Sequence, residues 1–371
     1  MMVRIIIKLQ IIIIFSSLLS AIPRFAIQEG ASCNLCHIDP NGGGLRNEYG
    51  IIMTSKEDLP RSPGGKISKN YTGIINDHIR VGGDIRFLNF NTMQSNQVTS
   101  ALFPMQSNFY GYWKISEAGA VFASMDLLRS NNEIWVNWDG LLPMNGYLKV
   151  GKDLPAYGLN VDDHTSFIRG GNIRKKSLLQ EGLIFSPYLS YPGLLEIGFN
   201  FGDIYLSQSI SNQFINYSSS GGFDEYLHDK AFTTRIEWFP TLNRINGMIG
   251  ASLLQQGIVR FQGIFGGISL GKLTWVGEVD IAENWLSDGT VLASLSELTY
   301  DFIPGVDLQV KFDFFDEDID TTGGALQRLT FGVEYVPVPF VGLNIQARLT
   351  EVIGSSEAIE PEFLIQLHTW F

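Results

Sequence analysis

From Ile79 to the C-terminus, apolar residues recur at every second position, and no stretch sustains helical spacing. In "VDLQVKFDFF", Val306, Leu308, Val310, Phe312 and Phe314 share one face, and Asp307, Gln309, Lys311 and Asp313 share the other. "VGLNIQARLT" repeats the arrangement, with Val341, Leu343, Ile345, Ala347 and Leu349 set against Asn344, Gln346, Arg348 and Thr350. Such segments must be strands with one apolar and one polar face. A soluble sandwich and a membrane barrel both satisfy that pattern. Two features favour the barrel. About sixteen such segments occur, an even number, most of them near the 9–11 residues that cross a bilayer when tilted. The connections also alternate in length. Short turns fall at 117–119, 143–146, 190–193, 240–243, 271–272, 304–305 and 337–340. Longer loops fall at 91–106, 153–179, 203–229, 284–289, 316–325 and 352–361. The expected fold is all-β, an outer-membrane antiparallel barrel of about 16 strands over 77–371. The last strand, "EFLIQLHTWF", ends on Phe371, a terminal aromatic of the kind read by the outer-membrane insertion machinery.

The N-terminus fits that destination. Residues 1–21 hold Arg4 and Lys8, then an apolar run from Leu9 to Leu19, then small residues. This is the layout of a secretory signal peptide, with cleavage expected near Ala21. An uncleaved anchor would want a longer run, about 20 residues. Without those residues the chain keeps 24 basic and 38 acidic residues, a balance of −14. That balance argues against nucleic acid as a partner, and the absence of a basic tract argues against anionic lipid headgroups.

Residues 22–76 show no alternation and hold both cysteines of the chain, in "ASCNLCHIDPNGGG". Cys33-x-x-Cys36-His37 has the spacing of a c-type haem attachment site, with the thiols bonding the vinyl groups and His37 as proximal iron ligand. A redox pair would want a βαβ context. A zinc site would want a second pair of ligands at similar spacing. A bare disulfide would not need the histidine. The segment is short for an independent core, so it is expected to act as a plug in the lumen or a cap on the periplasmic mouth.

Residues 21–50 resemble the N-terminus of the outer-membrane monohaem cytochrome–porin fusions of iron-oxidising bacteria. Pro23, Phe25, Ala26, Gly30, Cys33, Cys36, His37, Pro40, Tyr49 and Gly50 match that family's pattern in order. The run Ile27-Gln28-Glu29 and the "DPNGGG" insert depart from it, and the barrel is shorter than most. The resemblance implies one covalent haem c that carries electrons between an extracellular donor, with Fe(II) as the implied one, and periplasmic carriers such as soluble cytochromes. It implies outer-membrane lipid around the barrel and the haem segment on the periplasmic side or inside the lumen. Acidic loops at 316–320 and 160–165 would suit a cationic donor, or serve solubility alone.

The sixth iron ligand is left open among Met53, His78 and His368, with a vacant position as the further choice. By parity His78 and His368 face the lumen. Arg80 and Arg86 are candidate partners for haem propionates. Trp370 is a candidate to pack on the porphyrin or to join an aromatic girdle. The loop at 153–179 brings Asp162, Asp163, His164 and Arg169 close together and could fold inward to constrict the pore or hold a metal ion. The alternative to electron transfer is a diffusive porin with a structural or sensory haem. A haem sensor or peroxidase is a third class, and Fe(II) oxidation is the enzymatic activity that the resemblance implies.

Overall fold

A computed structural model describes residues 23–94, 97–128, 132–160, 165–171, 192–213, 215, 229–285, 289–354 and 360–371. The leader at 1–21 lies outside these, as do Asp162, Asp163 and His164. Among the described residues, all strands belong to one antiparallel sheet. Two strands are short additions, β1 (Ile74–Asn76) and β10 (Thr241–Leu242). The other sixteen close on themselves into a barrel. They are β2 (Ile79–Gln94), β3 (Gln97–Lys114), β4 (Gly119–Asp126), β5 (Glu133–Leu142), β6 (Gly146–Lys152), β7 (Gly193–Phe201), β8 (Ile204–Ser211) and β9 (Ala231–Trp238). They continue with β11 (Ile245–Gln256), β12 (Val259–Leu270), β13 (Leu273–Glu283), β14 (Thr290–Ile303), β15 (Val306–Asp316), β16 (Leu326–Val338), β17 (Val341–Val352) and β18 (Glu360–Trp370). Each strand pairs with its sequence neighbour, and β18 pairs with β2 to close the ring, from Glu362 opposite Thr92 to Trp370 opposite Asp84. Among the described residues, each of these sixteen strands is paired on both sides, as a membrane barrel requires.

The alternation sets which way each side chain faces. On β15, Leu308 is exposed on the outer wall while Gln309, Lys311 and Asp313 are buried in the lumen. On β18, Phe363, Ile365, Leu367 and Phe371 are exposed on the outer wall. Trp113, Trp138, Trp238, Tyr300, Phe302 and Tyr335 are also exposed, and all lie near the short-turn end of their strands. They form one aromatic girdle of the kind that marks a bilayer interface.

Three expected connections differ. Residues 91–106 are not a loop, because β2 and β3 run on through them. Asn, Gln, Thr and Ser there lack an apolar alternation but pair as strand. Of the turn expected at 190–193, residues 190 and 191 lie outside the described residues, and Gly193 already starts β7. The turn is at Gly202 and Asp203, and β8 occupies the start of the expected loop 203–229. The inward positions of β8 are Tyr205 and the serines 207, 209 and 211, so its apolar face alone carried little signal.

A sixteen-strand barrel leaves room for an aqueous channel. Two stretches of this chain occupy that room. One is the N-terminal segment, starting with helix α1 (Pro23–Glu29). Its buried Arg24 reaches the wall, where Nη2 donates to Asp307 (2.6 Å) and Glu334 (3.1 Å) and Nη1 donates to Thr299 (3.3 Å). Further along, Lys149 on β6 binds Asp39 at 3.1 Å, and Asn41 donates to Glu196 at 2.7 Å. The segment ends as a cover on the short-turn end. Arg61 N–H donates to the Val336 carbonyl at 2.7 Å, and Tyr71 packs edge-on against Phe340 and Phe371. It is therefore a plug over its first part and a cap over its last. The second occupant is the described part of the 153–179 connection.

Candidate functional site: a lumen cavity lined by the Cys-x-x-Cys-His turn

Cys33–Leu35 form one turn of 3-10 helix, in which the Cys33 carbonyl accepts from the N–H of Cys36 (3.2 Å) and of His37 (3.1 Å). That tight turn gathers the two thiols and the imidazole in one place. Neither cysteine forms a disulfide. Asn47 braces the turn by donating to the Asn34 and Leu35 carbonyls at 3.1 and 2.9 Å. Gly50 of the Tyr-Gly pair lies against the Cys36 carbonyl so closely that a Cβ would collide with it. The glycines of the insert follow, at φ +86°, +84° and +58° for Gly42, Gly43 and Gly44. They fold the chain back over the turn, so that His37 and Arg46 meet as a β-bridge.

The turn lines a cavity of about 300 Å³ inside the barrel. This is within the size range of small-molecule sites. Its wall side is Arg86, Tyr110 and Phe122, and its other side is Tyr157, Leu159 and Arg169. Phe122 stacks on Trp135 at a ring separation of 4.7 Å and on Tyr110 at 6.0 Å. Four guanidinium groups border the cavity, those of Arg46, Arg86, Arg169 and Arg235.

The chemistry of the turn can be tested against a covalent haem. His37 Nδ1 is buried with no hydrogen-bond partner. Burial, reinforced by the charge of Arg46, pushes the imidazole down to about 4, against the pull of the Gly43 and Gly44 backbone. The ring is therefore neutral at physiological pH, the form that binds a metal. Burial raises the Cys33 thiol to about 12, with Glu237 adding to it, and burial and Glu29 raise Cys36 to about 11. Guanidinium groups are the natural partners of buried carboxylates. An imidazole, two adjacent thiols, aromatic walls and bordering guanidinium groups, of which Arg169 and Arg235 also meet Glu278 and Glu237, fit a haem with its two propionates.

The other candidate residues are spread more widely. Met53 and His78 are exposed, and neither lines the cavity. His78 Nδ1 lies 3.2 Å from the Lys114 carbonyl. His368 does face the lumen, but its Nε2 is 2.6 Å from Asp84 and it lines a smaller hollow beside Leu88 and Met105. Arg86 borders the cavity, whereas Arg80 faces Glu48 at 4.0 Å. Trp370 joins neither the cavity nor the girdle. It is buried, and its indole N–H donates to Ser55 at 3.1 Å, which pins the plug.

The described parts of the 153–179 connection, 153–160 and 165–171, fold inward. Arg169 Nη2 lies 2.8 and 2.9 Å from the two Glu278 oxygens, and Ser166 donates to Asp313 at 2.7 Å. Arg348 and Arg328 hold Thr165 at 2.6 and 2.8 Å, and Phe167 and Ile168 are wholly buried. Inward parity on the strands places Arg235 in the lumen, and the same parity would have found Tyr110 and Phe122. Nothing local in the sequence marks Arg46. Among the described residues no group of three or more His, Cys, Asp or Glu side chains is arranged to hold a metal ion.

No family model matches the sequence, and no curated protein matches it. Solved structures do. OprB of Pseudomonas putida has a TM-score of 0.61 at 8% identity, over 85% of this chain and 99% of that one. The outer-membrane channel DcaP of Acinetobacter baumannii has a TM-score of 0.55 at 9% identity, over 79% and 97%. An anion-selective porin from Comamonas acidovorans has a TM-score of 0.53 at 9% identity, over 79% and 99%. The class that this fold defines is the outer-membrane porin-type β-barrel. Within that class, this chain has a Cys-x-x-Cys-His turn standing in its lumen.

Proposed function

We propose that this barrel carries one covalent haem c in its lumen, on Cys33, Cys36 and His37, and passes electrons between the cell exterior and periplasmic carriers such as soluble cytochromes. One observation carries the reading: the Cys-x-x-Cys-His turn lines a cavity of about 300 Å³, and that cavity lies inside the barrel. A bilayer core about 30 Å thick keeps soluble carriers apart, and a redox group inside the barrel would shorten that gap. When bound, the haem supplies a reversible one-electron change. The chain's own residues hold and shield it. His37 presents a neutral imidazole, and Arg46 and Arg86 offer positive charge for carboxylates. The inward-folded connection covers the loop end, and the cap covers the turn end. Fe(II) as donor rests on the family resemblance alone.

The likeness to channels supports a second reading, a diffusive outer-membrane porin with a structural or sensory haem. The two plugging stretches weigh against free diffusion. Oxidised-minus-reduced visible spectra of outer-membrane extracts, beside planar-bilayer conductance, separate these readings. A c-type band that is lost in a Cys33→Ala, Cys36→Ala variant, reduced by an added donor and found in a poorly conducting barrel is the expected result. A band in a freely conducting barrel favours the second reading. No band in folded, inserted protein overturns both.

A further inference from the structure

Charge gathers at one more point in the lumen. Lys149 on β6 is wholly buried, and three carboxylates from three elements converge on its Nζ. Asp153, at the start of the inward-folded connection, lies at 2.7 Å. Asp39 of the N-terminal segment lies at 3.1 Å, and Glu196 of β7 at 3.5 Å. Glu196 Oε1 also accepts from Asn41 at 2.7 Å and from the Tyr147 hydroxyl at 2.9 Å, while its Oε2 is buried without a partner. The backbone holds Asp153 in place. Its Oδ1 accepts from the Leu154 N–H at 2.7 Å, and its own N–H donates to the Pro192 carbonyl at 3.0 Å. Lys149 thus ties the N-terminal segment, the inward-folded connection and the wall together at one atom.

We infer that this cluster is a pH-operated clasp, in which a proton on Asp153 keeps the N-terminal segment seated and its loss lets the segment go. One ammonium balances one carboxylate, and three surround this one. Like charges so close cannot all ionise without cost, and that cost grows with burial. The charged groups around Asp153 are Lys149 on the adjoining strand, Glu196 on β7 and Asp39 on the N-terminal segment. With Asp153 protonated, Lys149 is left to Asp39 and Glu196, and these hold the segment directly and through Asn41. With Asp153 ionised, a third negative charge competes for the same ammonium. Burial pushes the Asp153 carboxyl up to about 7, with Lys149 opposing the rise and Asp39 and Glu196 adding to it. Once the segment leaves, Asp39 goes with it and water enters, so the carboxyl returns toward its ordinary value of about 4. The seated form therefore binds the proton more tightly. Seating is favoured in acid and weakens as pH rises from about 4 to about 7. The titrating group belongs to the inward-folded connection, not to the Cys-x-x-Cys-His turn, so the clasp does not rest on the haem reading.

Limited proteolysis of the detergent-solubilised full-length barrel across the acid-to-alkaline range tests the clasp, with each rate divided by that of an unfolded sample at the same pH. Cleavage within 31–50 should quicken as pH rises, by up to about tenfold per pH unit, and level off above about 7. Asp153→Asn keeps an oxygen for the Leu154 N–H and cannot ionise, so it should hold the segment at every pH and flatten the curve. Lys149→Met should leave the segment quickly cut at every pH. The gel mobility of the closed barrel checks each variant, and Asp153→Asn decides the matter alone if Lys149→Met does not close. A flat wild-type curve, or a curve that Asp153→Asn leaves unchanged, overturns the clasp. A folded Lys149→Met barrel cut as slowly as the wild type in acid overturns it too. The same curve is expected in the Cys33→Ala, Cys36→Ala variant. A curve lost there would trace the effect to haem attachment and overturn the clasp while leaving the haem reading intact.

Discussion

Two stretches of chain enter the lumen, and they are completed there in different ways. The inward-folded connection packs like a core. Leu159, Phe167 and Ile168 are almost wholly buried and join Phe261, Trp285 and Phe315 in one apolar cluster. Its charged groups meet opposite charges on the wall. The N-terminal segment adds Ile27 to that same cluster and Leu45 to a second one with Tyr110, Phe122 and Trp135. It is otherwise pinned by polar contacts at Arg24, Asp39, Asn41 and Ser55, and along its Cys-x-x-Cys-His turn it borders an open cavity. His37 Nδ1 is left without a partner there. The first stretch has the packing of a finished structural element. The second leaves open space beside its turn, the space in which the proposed haem would sit.

The sharpest way to break that contrast is at Arg169. Its guanidinium meets Glu278 and the Leu159 carbonyl, and both side chains are almost fully buried. Arg169→Met would leave the Glu278 charge buried without its partner, at a cost of about 3–5 kcal/mol. The expected outcome is release of the connection from the lumen, read as higher single-channel conductance and faster protease cleavage within 154–171. The N-terminal segment should stay as protected as before. If both stretches are cleaved together, they form one cooperative unit and the contrast fails.

Arg24→Met tests the other stretch. Its partners Asp307 and Glu334 have side chains 15% and 29% exposed, so water can partly replace the guanidinium. The expected loss is smaller, about 2 kcal/mol, between an exposed pair and a buried one. Cleavage of the segment near α1 should quicken about tenfold or more, since ~1.4 kcal/mol is a factor of ten. Conductance should change less than in Arg169→Met, because the inward-folded connection remains seated.

The wall was legible residue by residue and the lumen was not, for a physical reason. A strand shows its faces through a period of two, so Asp313, Glu278 and Arg348 could be placed inward from the chain alone. β8 was harder because its inward serines resemble a loop composition, and the outer parts of β2 and β3 because asparagine, threonine, glutamine and serine dilute their alternation. The Cys-x-x-Cys-His turn was visible because covalent attachment demands a fixed spacing. Its setting was not visible. Arg46 comes beside His37 through three glycines with positive φ, and Tyr110 and Phe122 come to the cavity through register and closure. Parity put His368 inside the lumen, yet its partner Asp84 lies 284 positions away in sequence. Only closure of β18 on β2 brings them together.

The smallest expected effect separates the attachment turn from its backbone. Gly42 has φ +86°, and a Cβ there would lie 2.5 Å from the Cys33 Cβ. Gly324, on the connection between β15 and β16, has φ +89° and nothing within 4 Å of such a Cβ. Alanine at either position meets the strain of positive φ, about 1 kcal/mol. Only Gly42→Ala adds the collision with Cys33, and overpacking of that kind costs about 1–3 kcal/mol more. The melting temperature of the closed barrel should fall little in both variants, because neither residue lies in a strand. Haem stain per folded barrel should fall in Gly42→Ala and hold in Gly324→Ala, since only the first displaces a thiol of the attachment turn. Equal staining in the two would mean that the glycine insert serves the backbone path alone. The departure of "DPNGGG" from the resembling family would then carry no consequence for the site.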